Sequence, residues 1–283
     1  MAPRVYDGIA GLRASVAARR THGAVGLVPT MGALHAGHAG LIERARRECA
    51  TVVVSIFVNP LQFDRAEDLA CYPRPLDADL ALCEGLGVNL VFAPSADEMY
   101  PRQPQCTVSV GQMADHLCGA FRPGHFAGVA TVVLKLLNVV QPDVAYFGEK
   151  DAQQLAIVRR MVADVNLPVA IASVETVREA DGLALSSRNR HLSSEERGLA
   201  PALYQALRAV RASVEGGATD AAVVLAGAAA TIPAGSALRL EYLEVVDPAS
   251  FQPVRHITGP VVAAGALWVG RTRLIDNLLC PPS

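Results

Sequence analysis

The sequence predicts an α/β fold, a doubly wound parallel sheet followed by a smaller C-terminal α+β domain. Three observations carry this. Up to about residue 177, short β-branched runs alternate with helical patterns, the signature of a parallel sheet covered by helices on both faces. Beyond about residue 178, two helical segments are followed by grouped strands, the order of an α+β unit. Polar and glycine-bearing clusters fall where strands end and helices begin, the edge at which open parallel sheets bind ligands.

Taken in order, residues 25–28 read as a buried strand and about 38–49 as a helix. Residues 52–58 form a second strand, bounded by Asn59 and Pro60. Residues 77–85 are helical, and 88–92 are a strand stopped by Pro94. Over 126–140, Val129, Val132, Val133, Leu136, Leu137 and Val140 share one broad helical face. Pro142 closes that segment; 144–147 is a strand, 151–163 a helix and 169–177 a strand. This alternation describes a Rossmann-like sheet over residues 1–177. In the remainder, 178–283, Ser193-Ser194-Glu195-Glu196 places a capping serine before acids in a first turn. Helical segments 195–215 and 220–231 flank Gly216-Gly217, and 238–246 and 259–269 read as strands. The domain boundary falls near 177–186.

Composition excludes several classes. In 283 residues, 51% are hydrophobic and 18% charged, which rules out wholesale disorder. The formal net charge is −2 with no long basic run, so a nucleic-acid partner is not expected. No apolar stretch is long enough to cross a bilayer. The opening Met1-Ala2-Pro3-Arg4 reads as a mixed helical pattern without the apolar core of a secretory signal. The six cysteines lack metal-site or disulfide spacing, and reduced thiols in a cytoplasmic protein are expected.

The most informative segment runs from Val28 through Pro29, Thr30, Met31, Gly32, Ala33, Leu34, His35, Ala36 and Gly37 to His38. It follows a strand and opens a helix, where free N–H groups attract phosphate. Gly32 and Gly37 allow close backbone approach, and His35 and His38 share one helical turn. The spacing of Gly32 and Gly37 matches a Walker A loop, but no Lys-Ser/Thr follows, and no G-x-G-x-x-G follows a strand. On spacing alone, two surface histidines at a helix start remain an equal reading. Asn59 and Gln62 sit at a second carboxyl edge, Arg122 and His125 precede the long apolar helix, and Glu149, Lys150, Asp151 and Gln154 open another helix. Asp77 and Asp79 either bind magnesium through water or begin a helix. Ser186, Ser187, Arg188 and Asn189 lie at the domain junction, where a loop can grip phosphate oxygens and close over a nucleotide. No Ser-His-Asp or Cys-His set offers a covalent nucleophile, so positioning and charge stabilisation fit best, as in phosphoryl or nucleotidyl transfer.

The run Pro29-Thr30-Met31-Gly32 with His35-Ala36-Gly37-His38 resembles the HIGH-type motif of the nucleotidyltransferase superfamily. With segments 57–63, 122–129, 147–154 and 186–189 in order, the chain is similar from about residue 4 to 280 to the pantoate–β-alanine ligases. That resemblance implies a two-step reaction. ATP and pantoate give pantoyl adenylate and pyrophosphate, and β-alanine then displaces AMP. It implies that Met31, Gly32, Ala33, Leu34, His35, Ala36, Gly37 and His38 line the ATP site, with His38 the assigned proton donor. Gly148, Glu149, Lys150, Asp151, Val177, Leu185, Ser186, Ser187 and Arg188 would also bind ATP; His35, His38, Lys150 and Arg188 are the catalytic candidates. Gln62 and Gln154 would hold pantoate, Gln62 also lying near β-alanine, with Asn59 and Arg122 further substrate contacts. Mg2+ accompanies ATP, with Asp79 as the protein's metal contact, and a homodimer is implied. The departures are Ala36 where an acid is frequent, Leu185 where Met is usual, and Pro75 where Thr is common.

Two other activities compete. A simple nucleotidyltransferase joining a nucleotide to a phosphate acceptor would favour cations where Gln62 and Gln154 stand. A nucleotide sensor would bind ATP without releasing pyrophosphate.

Overall fold

The strand order of the first sheet decides where a ligand can sit. In this computed structural model, residues 2–235 and 237–282 are described. Among them, β1 (Arg4–Tyr6), β2 (Val25–Thr30), β3 (Thr51–Ile56), β4 (Leu90–Phe92), β5 (Val144–Gly148) and β6 (Ala170–Val174) form one sheet in the order β1-β4-β3-β2-β5-β6. Every pairing is parallel. From β2 the chain winds outward through β3 and β4, then returns to lay β5 on the other side of β2. The order therefore reverses between β2 and β5, and the crevice beyond their carboxyl ends is the site that such a sheet leaves open.

These strands are apolar because helices cover both faces. Val25, Leu27 and Val28 of β2 and Val52, Val53 and Val54 of β3 are fully buried. Helix Ala36–Glu48 turns Leu41, Ile42 and Ala45 onto the sheet, and Val28, Val54, Val91 and Tyr146 join them in one core. Helix His125–Val140 buries the predicted stripe of Val129, Val132, Val133, Leu136, Leu137 and Val140. Residues 1–110, 122–149 and 157–175 make up this compact unit.

A second unit comprises residues 111–121, 150–156 and 176–283. Its antiparallel sheet has β7 (Leu238–Val246), β8 (Val261–Val269) and β9 (Thr272–Cys280) in sequential order. Helices Ser194–Leu199, Ala202–Glu215 and Ala221–Ala229 precede it. Leu203, Leu207, Val210 and Val214 pack with Ala263, Leu267, Val269 and Cys280. Ser193 and Glu196 form the expected reciprocal cap.

Four features depart from the sequence reading. The chain opens on strand β1, not on a helical pattern, and Met1 lies outside the described residues. The helix expected over 195–215 is two helices, Ser194–Leu199 and Ala202–Glu215. Pro201, which has no N–H for a helical bond, stands at the break. Strand β9 was not anticipated, because Arg273, Asp276 and Asn277 interrupt its apolar pattern. Finally, the division is not a single cut near 177, since 111–121 and 150–156 group with the C-terminal residues. Among the described residues, no helix is long and apolar enough to cross a membrane.

Candidate functional site

At the end of β2 the backbone turns on a defined hydrogen-bond frame. Thr30 Oγ1 donates to the Ser55 carbonyl (2.6 Å) and accepts from Gly32 N–H (3.1 Å). Gly32 has φ +83, and a Cβ there would lie 2.9 Å from Asp79 Oδ2 and 3.0 Å from Ile56 Cγ2, so only glycine fits. Asp79 is 2% exposed; its Oδ2 accepts from Ala33 N–H (2.9 Å) and its Oδ1 from Leu34 N–H (2.7 Å). Asp79 is the residue the sequence reading expects at magnesium. In the fold both of its carboxylate oxygens accept loop amides, and the group is buried. Among the described residues, no group of three or more His, Cys, Asp or Glu is placed to hold a metal ion.

The loop delivers His35 as the cap of helix Ala36–Glu48. His35 Nδ1 accepts from Gly37 N–H (3.1 Å), and His38 Nδ1 accepts from His35 N–H (3.3 Å), a capping box made of two imidazoles. The ring centroids are 4.2 Å apart. Gly37 lets the His35 ring fold back, since a Cβ would lie 2.9 Å from its Cε1. Backbone N–H groups only donate, so both Nδ1 atoms carry lone pairs, and the neutral rings hold their proton on Nε2. Two Nε2–H donors thus stand at the helix N-terminus, at the carboxyl edge of β2.

After β3, Asn59 and Gln62 flank a short 3-10 turn, Pro60–Gln62. Asn59 is 1% exposed, and its amide is fully engaged. Nδ2 donates to Gln62 Oε1 and to Gly128 O (both 3.1 Å), and Oδ1 accepts from Tyr100 Oη (2.9 Å) and Leu61 N–H (3.3 Å). Burial pushes the Tyr100 phenol up to about 12, which keeps its proton in place for this bond. Asn59 therefore braces this segment. Its effect falls on Gln62: with Oε1 held as an acceptor, the Gln62 amide presents Nε2, which donates to Met31 Sδ (3.0 Å). Arg122 also braces this segment, donating to Asp64 Oδ1 (3.2 Å) and to the Gln62 carbonyl (3.2 Å). His125 Nδ1 donates to the same carbonyl (2.8 Å).

Gly148 ends β5, and Glu149 begins the 3-10 turn that follows. Glu149 Oε1 accepts from Ser173 Oγ (2.8 Å), and Arg44 Nη1 donates to the Ser173 carbonyl, tying this edge to helix Ala36–Glu48. In the second unit, Lys150, Ser186, Arg188, Asn189, Arg273 and Asp276 line one pocket. Lys150 Nζ lies 3.7 Å from Asp151 Oδ1. Ser186 Oγ accepts from Arg188 N–H (3.2 Å), starting the 3-10 helix Ser187–His191. Asn189 Nδ2 donates to Ala184 O (3.1 Å), while its Oδ1 is buried without a partner. Such an acceptor costs about 1–3 kcal/mol until something donates to it. The Val177 carbonyl accepts from Leu185 N–H (2.9 Å), closing a hairpin that leads into Ser186. Gln154 is half-buried in the first turn of helix Ala152–Asp164. Its neighbour Gln153 was not anticipated. Gln153 bonds the backbone of Met113, His116 and Cys118, and nothing in the local sequence announces that role.

Comparison with known proteins finds one family over nearly the whole chain. The model of the pantoate-beta-alanine ligase family matches residues 4–279. A bifunctional pantoate ligase/cytidylate kinase of Thermosynechococcus vestitus is 55% identical over 95% of the chain and 53% of its own length. The chain thus spans about half the length of the bifunctional relatives it matches. Pantothenate synthetase from Thermus thermophilus superposes with TM-score 0.92 at 48% identity, covering 99% of this chain and all of that one. The Francisella tularensis pantoate-beta-alanine ligase, complexed with beta-gamma ATP and beta-alanine, has TM-score 0.82 at 34% identity over 98% of both chains. With its parallel sheet, histidine-capped helix and braced glutamine, the chain belongs to the pantoate–β-alanine ligase family.

Proposed function

We propose that the chain condenses pantoate with β-alanine at the expense of ATP, through pantoyl adenylate. The observation that carries this reading is the His35–His38 capping box, which places two Nε2–H donors at the carboxyl edge of β2. In the first step a pantoate carboxylate oxygen attacks the α-phosphorus, and the bond to pyrophosphate breaks. Negative charge gathers on the departing pyrophosphate, and preorganised donors lower that barrier without reorganisation. His35 and His38 supply such donors, joined by the amides of the 31–38 loop that Thr30, Asp79 and the two imidazoles do not take. His38 acts here chiefly as a charge stabiliser, because pyrophosphate leaves readily without a proton. Lys150 and Arg188 supply positive charge to the phosphates, with Ser186 and Ser187 as hydroxyl donors. Gly148, Glu149, Asp151, Val177 and Leu185 complete the nucleotide contacts.

Gln62 orients pantoate through the second Nε2–H, beside the one given to Met31, and Gln154 holds the substrate's other polar groups. In the second step the β-alanine amine attacks the acyl carbon, the bond to AMP breaks and the amine loses a proton. An alkyl carboxylate is a poor acyl donor until its oxygen carries such a leaving group. Magnesium enters on the ATP phosphates. The active form proposed is a cytoplasmic homodimer, a state that light scattering of the purified protein measures directly.

Oxygen tracing tests the chemistry. Pantoate labelled with ¹⁸O in its carboxylate, with ATP, Mg2+ and β-alanine, should give AMP carrying one label per turnover. Product formed without label in AMP would rule out the adenylate route. Nucleotide bound without pyrophosphate release would leave a sensor.

A further inference from the structure

We infer that Asn277, anchored by Asp276 on β9, is a positioning residue for Lys150. The inference rests on the reading of Lys150 and Ser186–Arg188 as phosphate-binding groups. Asn277 Nδ2 donates to the Lys150 carbonyl at 2.9 Å, so a side chain of the C-terminal strand fixes the backbone that carries the lysine. The next residue back on β9 fixes the other segment. Asp276 is 6% exposed, and its carboxylate takes both terminal nitrogens of Arg178, at 2.6 and 2.9 Å. Arg178 also donates to the Gly182 carbonyl (3.0 Å) and the Asn277 carbonyl (3.3 Å). Its guanidinium lies over the Tyr204 ring at 4.3 Å. Gly182, at φ +94, leaves room for that ring, which a Cβ would approach to 2.1 Å. Arg178 is bridged to Ala184, two residues before Ser186.

Two adjacent β9 residues therefore set the spacing between Lys150 and the Ser186–Arg188 segment. The strand is a suitable ruler. Asp276 and Asn277 pair with Gly265 and Ala264 of β8 in unbroken antiparallel register. Charges that must reach oxygens of one triphosphate tolerate little error in separation. Polar residues on a strand of a small antiparallel sheet cost stability unless bonded. Here the side-chain bonds to Lys150 and Arg178 lead to the two phosphate-binding segments.

The experiment compares Asn277→Ala, Lys150→Ala and the double variant by initial rates of pyrophosphate release, varying ATP and β-alanine separately. Loss of the neutral hydrogen bond to the Lys150 carbonyl should raise KM for ATP about 3- to 10-fold, leaving KM for β-alanine unchanged. If Asn277 acts through Lys150, the double variant should lie within about 2-fold of Lys150→Ala alone. Multiplicative effects in the two backgrounds, or an unchanged KM for ATP in Asn277→Ala, would overturn the inference. Should Asn277→Ala fail to fold, Asn277→Ser keeps a polar strand residue too short to reach the carbonyl and gives the same readout. A Lys150→Ala enzyme with wild-type ATP kinetics overturns the phosphate-site reading, and the positioning role with it. An impaired Lys150→Ala beside an unimpaired Asn277→Ala removes only the latter.

Discussion

Asp79 Oδ1 accepts the Leu34 N–H at 2.7 Å, and its Oδ2 takes the amide of Ala33. A buried carboxylate thereby ties helix Leu76–Gly85 to the loop that presents His35. Removing it in Asp79→Ala strands two buried amides, and bonds to charged groups are worth about 1.5–3 kcal/mol each. Urea denaturation should show a loss of about 3 kcal/mol or more. At saturating ATP, the Mg2+ concentration giving half-maximal rate should match wild type. A shift of about tenfold in that concentration would restore Asp79 to the metal.

Gly128 offers a test of the substrate side. A Cβ at this position would lie 2.2 Å from the Leu61 carbonyl oxygen and 2.8 Å from the Gln62 amide nitrogen. Both are backbone atoms, so Gly128→Ala must push helix His125–Val140 away from the 3-10 turn. The bond from Asn59 to Gly128 O is lost in the same movement. KM for pantoate should rise about tenfold or more, with overpacking costing about 1–3 kcal/mol of stability. Unchanged pantoate kinetics would separate Gln62 from substrate binding.

How much of this was legible beforehand follows from what each residue answers to. The parallel sheet was readable because strands buried on both faces must be continuously apolar, as residues 52–54 are. The histidine pair was readable because the capping geometry is local, completed within residues 35–38. The hydrogen-bond partners of Asp79, Asn59 and Arg122 were not readable. Beyond their own turns, the partners of Asp79 and Asn59 lie 41 to 69 positions away, and Asp64 lies 58 from Arg122. No local pattern exists at such distances. Strand β9 was hidden for the opposite reason. Its Arg273 and Asp276 answer to Glu241 and Arg178, and they disrupt the period that would have revealed it.

The Asp64–Arg122 pair gives the site a pH dependence. Burial pushes the Asp64 carboxyl up, but its own backbone amide and the Arg122 guanidinium outweigh this and hold it below its usual 3.8. A carboxyl depressed in the folded state stabilises it above the unfolded value, and that contribution fades as pH falls through the folded value. Acid denaturation of wild type should therefore steepen below about pH 4, the reference carboxylate range. Asp64→Asn should be less stable than wild type at pH 6, with the gap closing toward pH 2. A constant gap across that range, followed by circular dichroism, would show that the charge contributes nothing.

His38 holds two roles that substitution can separate. Its Nδ1 caps the helix by accepting from His35 N–H, and its Nε2–H is the proposed donor to the leaving pyrophosphate. Alanine removes both, and adenylation should fall about 10²- to 10³-fold, as for loss of one oxyanion donor. An asparagine places its Oδ1 near the Nδ1 position and has no group at Nε2, so His38→Asn retains the cap and loses the donor. A glutamine reaches the Nε2 position with an N–H and gives up the cap. If charge stabilisation dominates, single-turnover pyrophosphate release should rank wild type, then His38→Gln, with His38→Asn as slow as His38→Ala. The cap alone is worth about 1 kcal/mol, near fivefold, so it cannot produce the larger loss. The reverse ranking, with His38→Asn close to wild type, would assign His38 to helix capping and move the catalytic donor elsewhere in the loop.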